Sequence, residues 1–257
     1  MLGIYFSGTG NTKYCIERFL QECGDNIESY SIEDERAIPG IKQNDTIVMG
    51  YPVYYSNIPK ILKDFIQKNS SIWEGKKIFI IATMGLFSGD GAGILGRLLE
   101  SFQAKVIGGL HLTMPDCISD IKILKRSLER NKEIIKKSDE KIKLSAQNFK
   151  KGEFSQDGIG LLSHLAGLFG QRLYCYNATK KYSDKLKIDR EKCIGCGVCA
   201  KVCPMNNIEI KEHKAVPNNM CTVCYRCVNK CPTLAITLLG KKVVEQCGIE
   251  KYLDKTI

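Results

Sequence analysis

Ser7-Gly8-Thr9-Gly10-Asn11-Thr12 lies between an apolar run at residues 2–6 and an amphipathic stretch at residues 12–23. The run predicts a buried strand and the stretch a helix, so these six residues form a strand-to-helix loop. Glycines let backbone N–H groups approach a ligand closely, and the side chains add hydroxyl and amide donors. The N-terminus of the following helix attracts anions. The loop lacks the lysine of a G-K-[ST] motif, which favours a phosphomonoester over a triphosphate.

Apolar runs and helical patterns alternate outward from this loop as far as about residue 115. Strands are predicted at residues 2–6, 27–30, 46–49, 78–83 and 106–112. Helices are predicted at residues 12–23, 58–68 and 94–102. This alternation predicts an α/β fold, a doubly wound five-stranded parallel sheet with helices on both faces.

Two further loops, at residues 51–57 and 83–91, lie at carboxyl ends of predicted strands, where such sheets bind ligands. With the S-G-T-G-N-T loop, residues 1 to about 116 resemble the flavodoxins, in which this sequence binds the phosphate of FMN. The resemblance implies FMN as a cofactor, with its ring between the two further loops and Tyr54 or Tyr55 stacked on it. The implied FMN-binding residues are Ser7, Gly8, Thr9, Gly10, Asn11, Thr12, Pro52, Val53, Tyr54, Tyr55, Thr83, Met84, Gly85 and Gly89.

Residues 117–151 are rich in lysine and arginine, and their apolar residues fall near one helical stripe. We predict one long basic helix, at the end of a first domain that spans residues 1–151. The helix either packs on the sheet with a solvated face or docks an acidic electron-transfer partner. The formal net charge of +10 does not indicate nucleic-acid binding, because no aromatic residues interleave with these charges.

Residues 152–185 are predicted to connect two domains. Their apolar stretch at residues 159–169 is shorter than the about 20 residues that a membrane-spanning helix needs. We expect it to pack between the domains or to contact a partner or a membrane surface. No signal peptide is evident at the N-terminus, so a cytoplasmic location without a membrane span is expected.

Eight of the 13 cysteines lie in two copies of C-x2-C-x2-C-x3-C-P, offset by 28 residues. In this spacing, three cysteines wrap one [4Fe-4S] cluster and the fourth reaches the cluster of the other copy. Zinc sites use paired ligands instead and do not explain this pattern. One predicted ligand set is Cys193, Cys196, Cys199 and Cys231. The other predicted set is Cys221, Cys224, Cys227 and Cys203.

These repeats resemble the bacterial two-cluster ferredoxins over about residues 186–240, which implies a small α+β ferredoxin domain at residues 186–257. The whole chain resembles the flavodoxin-domain ferredoxins of anaerobic bacteria and archaea. FMN exchanges electrons singly or in pairs, whereas each cluster carries one. We therefore expect an oxidoreductase-type relay that passes electrons between FMN, two clusters and redox partner proteins, with no catalytic residue of its own. The alternatives are an FMN-dependent reductase of a small acceptor, such as a quinone or nitro compound, that is fed by its own clusters, and a redox sensor.

Overall fold

The N-terminal part of the chain is a parallel sheet of five strands in the order β2-β1-β3-β4-β5. The computed structural model describes residues 1–86, 90–160 and 181–253. Central strands read as nearly continuous apolar runs because both of their faces are covered. The strands are β1 Leu2–Tyr5, β2 Ser29–Ser31, β3 Thr46–Pro52, β4 Lys77–Met84 and β5 Lys105–Thr113.

Helices cover both faces of this sheet. On one face lie α1 (Asn11–Cys23) and α5 (Leu128–Lys150), where Phe19 stacks on Phe79 of β4 with ring centroids 5.1 Å apart. On the other face lie α2 (Ala37–Gln43), α3 (Lys60–Lys68) and α4 (Gly91–Glu100). The predicted doubly wound sheet of five strands is thus confirmed. The sequence reading missed α2, because Pro39 and Gly40 lie within it and both disfavour helix.

The prediction of one helix over residues 117–151 is wrong at its start. The helix α5 begins at Leu128, where the Ser127 hydroxyl caps it by accepting a hydrogen bond from the Arg130 N–H at 3.2 Å. Before it lie only a short 3-10 turn, Lys122–Leu124, and extended chain. Residues 117–120 are not helical, because they hydrogen-bond to the cysteine-rich C-terminal unit, residues 186–253.

The C-terminal unit is built from two short helices and two small antiparallel sheets. The sheets pair β6 (Lys187–Ile188) with β9 (Ile236–Thr237) and β7 (Ile208–Lys211) with β8 (Lys214–Pro217). The helices are α6 (Val198–Val202) and α7 (Arg226–Lys230), one in each cysteine repeat. Cysteines themselves form much of the core of this unit.

A buried carboxylate joins the two units. Asp120, 4% exposed, accepts hydrogen bonds from the Tyr225 hydroxyl at 2.8 Å and from the N–H groups of Leu238 at 2.7 Å and Leu239 at 3.0 Å. Nearby, Asn229 donates from Nδ2 to the Cys117 carbonyl at 3.1 Å. The segment after β5 is thus held inside the C-terminal unit.

Other contacts cross the predicted boundaries at residues 151 and 185, which remain predictions. Gln156 forms a β-bridge with Gly109 of β5, so residues beyond 151 still pack on the sheet. The Ile249 N–H donates to the Thr9 carbonyl at 3.1 Å, which brings the C-terminal segment back to the loop before α1. Most of the predicted connector, residues 161–180, lies outside the described residues. Within the described ranges, no helix has the length and apolar character needed to cross a membrane.

We predict that Asp120→Ala destabilises the protein by about 3–5 kcal/mol, because two buried donors and one partly buried donor lose their acceptor. Thermal or denaturant unfolding of the cofactor-loaded protein measures the change. Asp64→Ala is the control, since Asp64 forms only an exposed i,i+4 pair with Lys60 and should change stability by less than about 1 kcal/mol. Equal effects of the two substitutions would contradict this role of Asp120.

Candidate functional site

A deep pocket lies at the carboxyl ends of β1, β3, β4 and β5. The space between its walls totals about 810 Å³, part of it open to solvent. Four segments from the sheet unit and one from the C-terminal unit form these walls. They are Ser7, Gly8, Thr9, Asn11 and Thr12; Pro52, Val53, Tyr54 and Tyr55; Thr83, Met84 and Gly85; Met114, Pro115, Asp116, Cys117 and Ile118; and Val223 and Tyr225.

The loop before α1 presents an uncapped helix N-terminus to this pocket. Its N-cap residue, Gly10, has a φ of 96°, and no side chain caps the helix. The first-turn N–H groups are therefore available to an anion. Thr12 and Asn11 brace the loop instead, since the Thr12 hydroxyl bonds the Thr83 hydroxyl at 2.7 Å and Asn11 donates to the Pro115 carbonyl at 2.8 Å.

The structure brings together the predicted flavin-site residues with two exceptions. Gly10 does not line the pocket, because it packs beneath the loop against Ile249. Gly89 lies outside the described residues. Tyr54 and Tyr55 both line the pocket, and burial raises the pKa of Tyr54 well above its usual value. The stacking of either ring on a flavin remains a prediction.

Sequence reasoning missed the wall formed by residues 114–118. This segment follows the carboxyl end of β5, so the rule that identified the loops after β3 and β4 also applied to it. It carries Asp116, a half-buried carboxyl whose pKa is raised by burial. It also carries Cys117, a thiol whose pKa is raised by burial and by the neighbouring Asp116. No sequence pattern indicated the wall formed by Val223 and Tyr225, because these residues lie in a cysteine repeat and not at the end of a strand of the sheet.

The eight repeated cysteines surround two cavities, and each cavity combines three cysteines of one repeat with the last cysteine of the other. The distal cavity, of about 320 Å³, is lined by Cys193, Cys196, Cys199 and Cys231. The proximal cavity, of about 350 Å³, is lined by Cys203, Cys221, Cys224 and Cys227 and lies nearer the deep pocket. Among the described residues, no three His, Cys, Asp or Glu side chains converge on a point that could hold a single metal ion.

The chemistry around both cavities fits iron–sulfur clusters. Backbone N–H groups of Ala215 and Ala235 point at the Cys193 and Cys231 sulfurs, at 3.4 and 3.3 Å. Those of Asn207 and Val223 point at the Cys203 and Cys221 sulfurs, both at 3.3 Å. Such N–H groups stabilise thiolate ligands and tune a cluster's potential.

A buried hydroxyl distinguishes the proximal cavity. Thr222 lines it and is 2% exposed, and its Oγ1 atom has no hydrogen-bond partner among the described residues. A buried hydroxyl without a partner is unfavourable unless a bound group satisfies it. A cluster sulfur in the proximal cavity is a suitable acceptor.

The deep pocket and the proximal cavity share a wall. Tyr225 lines both of them. The Cys224 carbonyl lies 2.4 Å from where a Cβ on Gly8 would be, so the cysteine loop rests directly on the loop before α1. Only glycine at position 8 allows this contact.

The two cysteine repeats differ at the positions that form this wall. In the first repeat, glycines adopt left-handed conformations, with φ of 68° at Gly195 and 76° at Gly197. In the second repeat, Val223 and Tyr225 adopt the same conformations, with φ of 62° and 59°. A valine there is strained, which is typical of a functional position. The strain places two side chains against the deep pocket.

Comparison with known proteins identifies both units. A flavodoxin domain model matches residues 2–109, and two 4Fe-4S binding domain models match residues 186–209 and 218–234. A ferredoxin of Methanothermococcus thermolithotrophicus is 46% identical over 55 residues, which are 20% of this chain and 92% of that protein. This chain belongs to the ferredoxins. Its two-cluster unit follows a flavodoxin domain.

Other similarities cover less or are weaker. The chain is 32% identical over 79 residues to the putative oxidoreductase UacF of Escherichia coli, which are 29% of this chain and 12% of that protein. It spans 45% of an uncharacterized ferredoxin of Methanocaldococcus jannaschii, at 34% identity over 25% of its own length. The chain thus spans less than half of these two curated relatives. The flavodoxin of Megasphaera elsdenii is 23% identical, with 57% of this chain and 99% of that chain covered and a TM-score of 0.42.

The cofactors of this ferredoxin follow from its domains. The flavodoxin domain binds FMN, and the two 4Fe-4S domains bind two [4Fe-4S] clusters. FMN supplies chemistry with one or two electrons, and each cluster supplies single electrons. Domains that hold such cofactors support a role in redox electron transfer.

We predict that Thr222→Val lowers the reduction potential of the proximal cluster, because a hydrogen bond to the cluster stabilises its more negative reduced form. Valine keeps the shape of threonine without the hydroxyl. Redox titration followed by electron paramagnetic resonance measures the potential of each cluster. Thr233→Val, beside Cys231 in the distal cavity, is the matched control and should leave the proximal cluster unchanged. An unaltered reduction potential of the proximal cluster in Thr222→Val would contradict a hydrogen bond from the Thr222 hydroxyl to that cluster.

We predict that Val223→Gly weakens FMN binding about 10-fold or more while both clusters still assemble. Glycine adopts the left-handed conformation without strain, but it removes a wall of the pocket. Fluorescence titration with FMN, alongside iron analysis, gives both quantities. Ile194→Gly is the control, since Ile194 is exposed in the first repeat and does not line the deep pocket. Loss of the clusters with unchanged FMN affinity would show that Val223 supports cluster assembly and not FMN binding.

Proposed function

We propose that this ferredoxin relays electrons between a redox partner protein and FMN through two clusters in series. The observation that carries the proposal is the wall shared by the deep pocket and the proximal cavity, to which Tyr225 contributes on both sides. Electron transfer requires that cofactors be held close together. The proximal cluster is then the direct electron partner of FMN.

The other end of the relay is the distal cluster. Cys196 of the distal cavity is exposed, as is the neighbouring Ile194 at 64%. None of the proximal cysteines is as exposed as Cys196, since Cys224 and Cys227 are buried and Cys203 and Cys221 are partly buried. A partner protein can therefore approach the distal cluster, and an electron entering there passes through the proximal cluster to FMN. The reverse direction uses the same order.

The proposal includes ligand sets that are exchanged between the repeats. The distal cluster takes Cys193, Cys196 and Cys199 with Cys231, and the proximal cluster takes Cys221, Cys224 and Cys227 with Cys203. The lining of the two cavities supports these sets. The exchange also fixes the two clusters relative to each other, because each repeat holds part of both.

Val223 and Tyr225 of the C-terminal unit cover part of the deep pocket. They restrict the approach of a small acceptor to a flavin bound there, which favours a relay over a reductase of small acceptors. The two functions predict different behaviour toward a quinone. A reductase oxidises its reduced flavin with the quinone over repeated turnovers. A relay does not turn over the quinone and passes its electrons to a redox partner protein.

We predict that Cys203→Ala abolishes the proximal cluster and cuts the rate of FMN reduction by a reduced two-cluster ferredoxin at least about 100-fold. The distal cluster should remain and still accept electrons. Rapid mixing of the anaerobic, FMN-loaded protein, with absorbance for the flavin and electron paramagnetic resonance for the clusters, measures both events.

Cys231→Ala is the matched variant, since it should remove the distal cluster and leave the proximal one. Wild-type protein should show cluster oxidation and flavin reduction with a common rate constant, which tests the relay without any substitution. Fast FMN reduction in Cys203→Ala would rule out the relay. Loss of the opposite cluster in each variant would rule out the exchanged ligands.

A further inference from the structure

The clusters that feed the flavin pocket carry electrons without protons. A flavin reduced by two electrons forms at least one new N–H bond, whereas a hydride donor would bring that hydrogen with it. In a relay fed by clusters, the proton must come from a separate group. This need for a proton rests on the proposed function, and the acids in the pocket wall are groups that could meet it.

The titratable side chains among the described residues of the pocket are three tyrosines, one cysteine and one carboxyl group. Burial raises the pKa of Tyr54, of Tyr225 and of the Cys117 thiol, so these groups hold their protons tightly. Asp116 is the sole carboxyl group among the described residues that line the pocket. A carboxyl group releases a proton far more readily than a phenol or a thiol.

The two oxygens of Asp116 have different surroundings. Oδ1 accepts a hydrogen bond from the Ile118 N–H at 2.7 Å, so this oxygen is held as an acceptor. Oδ2 lies 2.7 Å from where a Cβ on Gly85 would be, against the loop after β4 that lines the pocket. Glycine at position 85 leaves room for this approach. Oδ2 is therefore the oxygen that can carry a proton beside the pocket.

We propose that Asp116 is the proton donor to FMN when electrons arrive from the proximal cluster. Two successive one-electron oxidations of that cluster supply the electron pair. The Oδ2–H bond of Asp116 breaks and one N–H bond forms on the flavin. The carboxylate then takes a proton from solvent, to which this half-buried side chain has access. Electron flow in the opposite direction returns the proton to Asp116.

The surroundings of Asp116 suit a group that exchanges protons. Burial raises its pKa, while Lys125 and Arg126 from the segment before α5 lower it. Tyr252 from the C-terminal segment and Cys117 also face it. Burial outweighs the lowering effects of the Ile118 N–H and the two cations, so the pKa of the Asp116 carboxyl lies above its usual value.

Asp116→Asn in the protein loaded with FMN and both clusters tests the proposal. Asparagine keeps an oxygen that can accept from the Ile118 N–H, so the loop should retain its shape. FMN reduction from the reduced clusters should slow about 100-fold or more in rapid mixing, the usual contribution of a positioned acid. In the wild type, this rate should fall as pH rises, because the protonated carboxyl is lost, and it should be slower in D2O. Both dependences should disappear in Asp116→Asn.

An equilibrium measurement separates a proton donor from a merely structural residue. The FMN potential of the wild type, titrated at a series of pH values, should bend at the pKa of Asp116, and the bend should be absent in Asp116→Asn. Asp116→Glu should restore part of the rate, and Asp64→Asn, an exposed carboxyl on α3, should behave as wild type.

An unchanged rate, isotope effect and pH profile in Asp116→Asn would reject Asp116 as the donor. Failure of the wild-type clusters to reduce FMN at all would instead reject the relay itself.

Discussion

The hydrogen bonds to the Asp120 carboxylate hold the two units of this ferredoxin together. The carboxylate is buried, and it accepts from one hydroxyl and two backbone N–H groups of the C-terminal unit. A buried charge persists only when its surroundings satisfy it fully, so the position of the C-terminal unit is fixed by this site. Tyr225, which donates one of these hydrogen bonds, also lines the deep pocket. The same interaction therefore anchors the units and closes the site between them.

The asymmetry of the two cysteine repeats follows from this arrangement. A ferredoxin unit on its own can place glycine wherever its cluster loops need left-handed backbone, as the first repeat does at Gly195 and Gly197. The second repeat has a second task, because it also lines the deep pocket. It carries Val223 and Tyr225 in the same conformation, at a cost of about 1–2 kcal/mol each. Burial of both side chains and the bond to Asp120 offset that strain.

Much of this molecule could be predicted from local patterns. Strand and helix periodicity predicted the five-stranded sheet, and the loop from Ser7 to Thr12, whose role in binding phosphate remains a prediction, lines the pocket at the edge of that sheet. The cysteine spacing anticipated which side chains surround each cavity. The docking of the units could not be predicted, because it depends on single residues such as Asp120 that carry no periodic signal. The start of the long basic helix was predicted too early. Ile121 and Leu124 match a helical stripe, but both precede Ser127, the residue that caps the helix.

The contacts of Arg226 show why the two cofactor sites are best regarded as one. Arg226 lies between the ligands Cys224 and Cys227 in sequence, and it donates to the Ser7 carbonyl at 2.8 Å and to the Val202 carbonyl, beside Cys203, at 3.2 Å. Glu33 orients it from the opposite side with two charge-assisted bonds of 2.7 and 2.8 Å. One guanidinium thus contacts the loop before α1 and both chain segments that carry proximal cysteines. The deep pocket and the proximal cavity therefore meet at a shared, charge-paired side chain as well as at the shared wall of Tyr225.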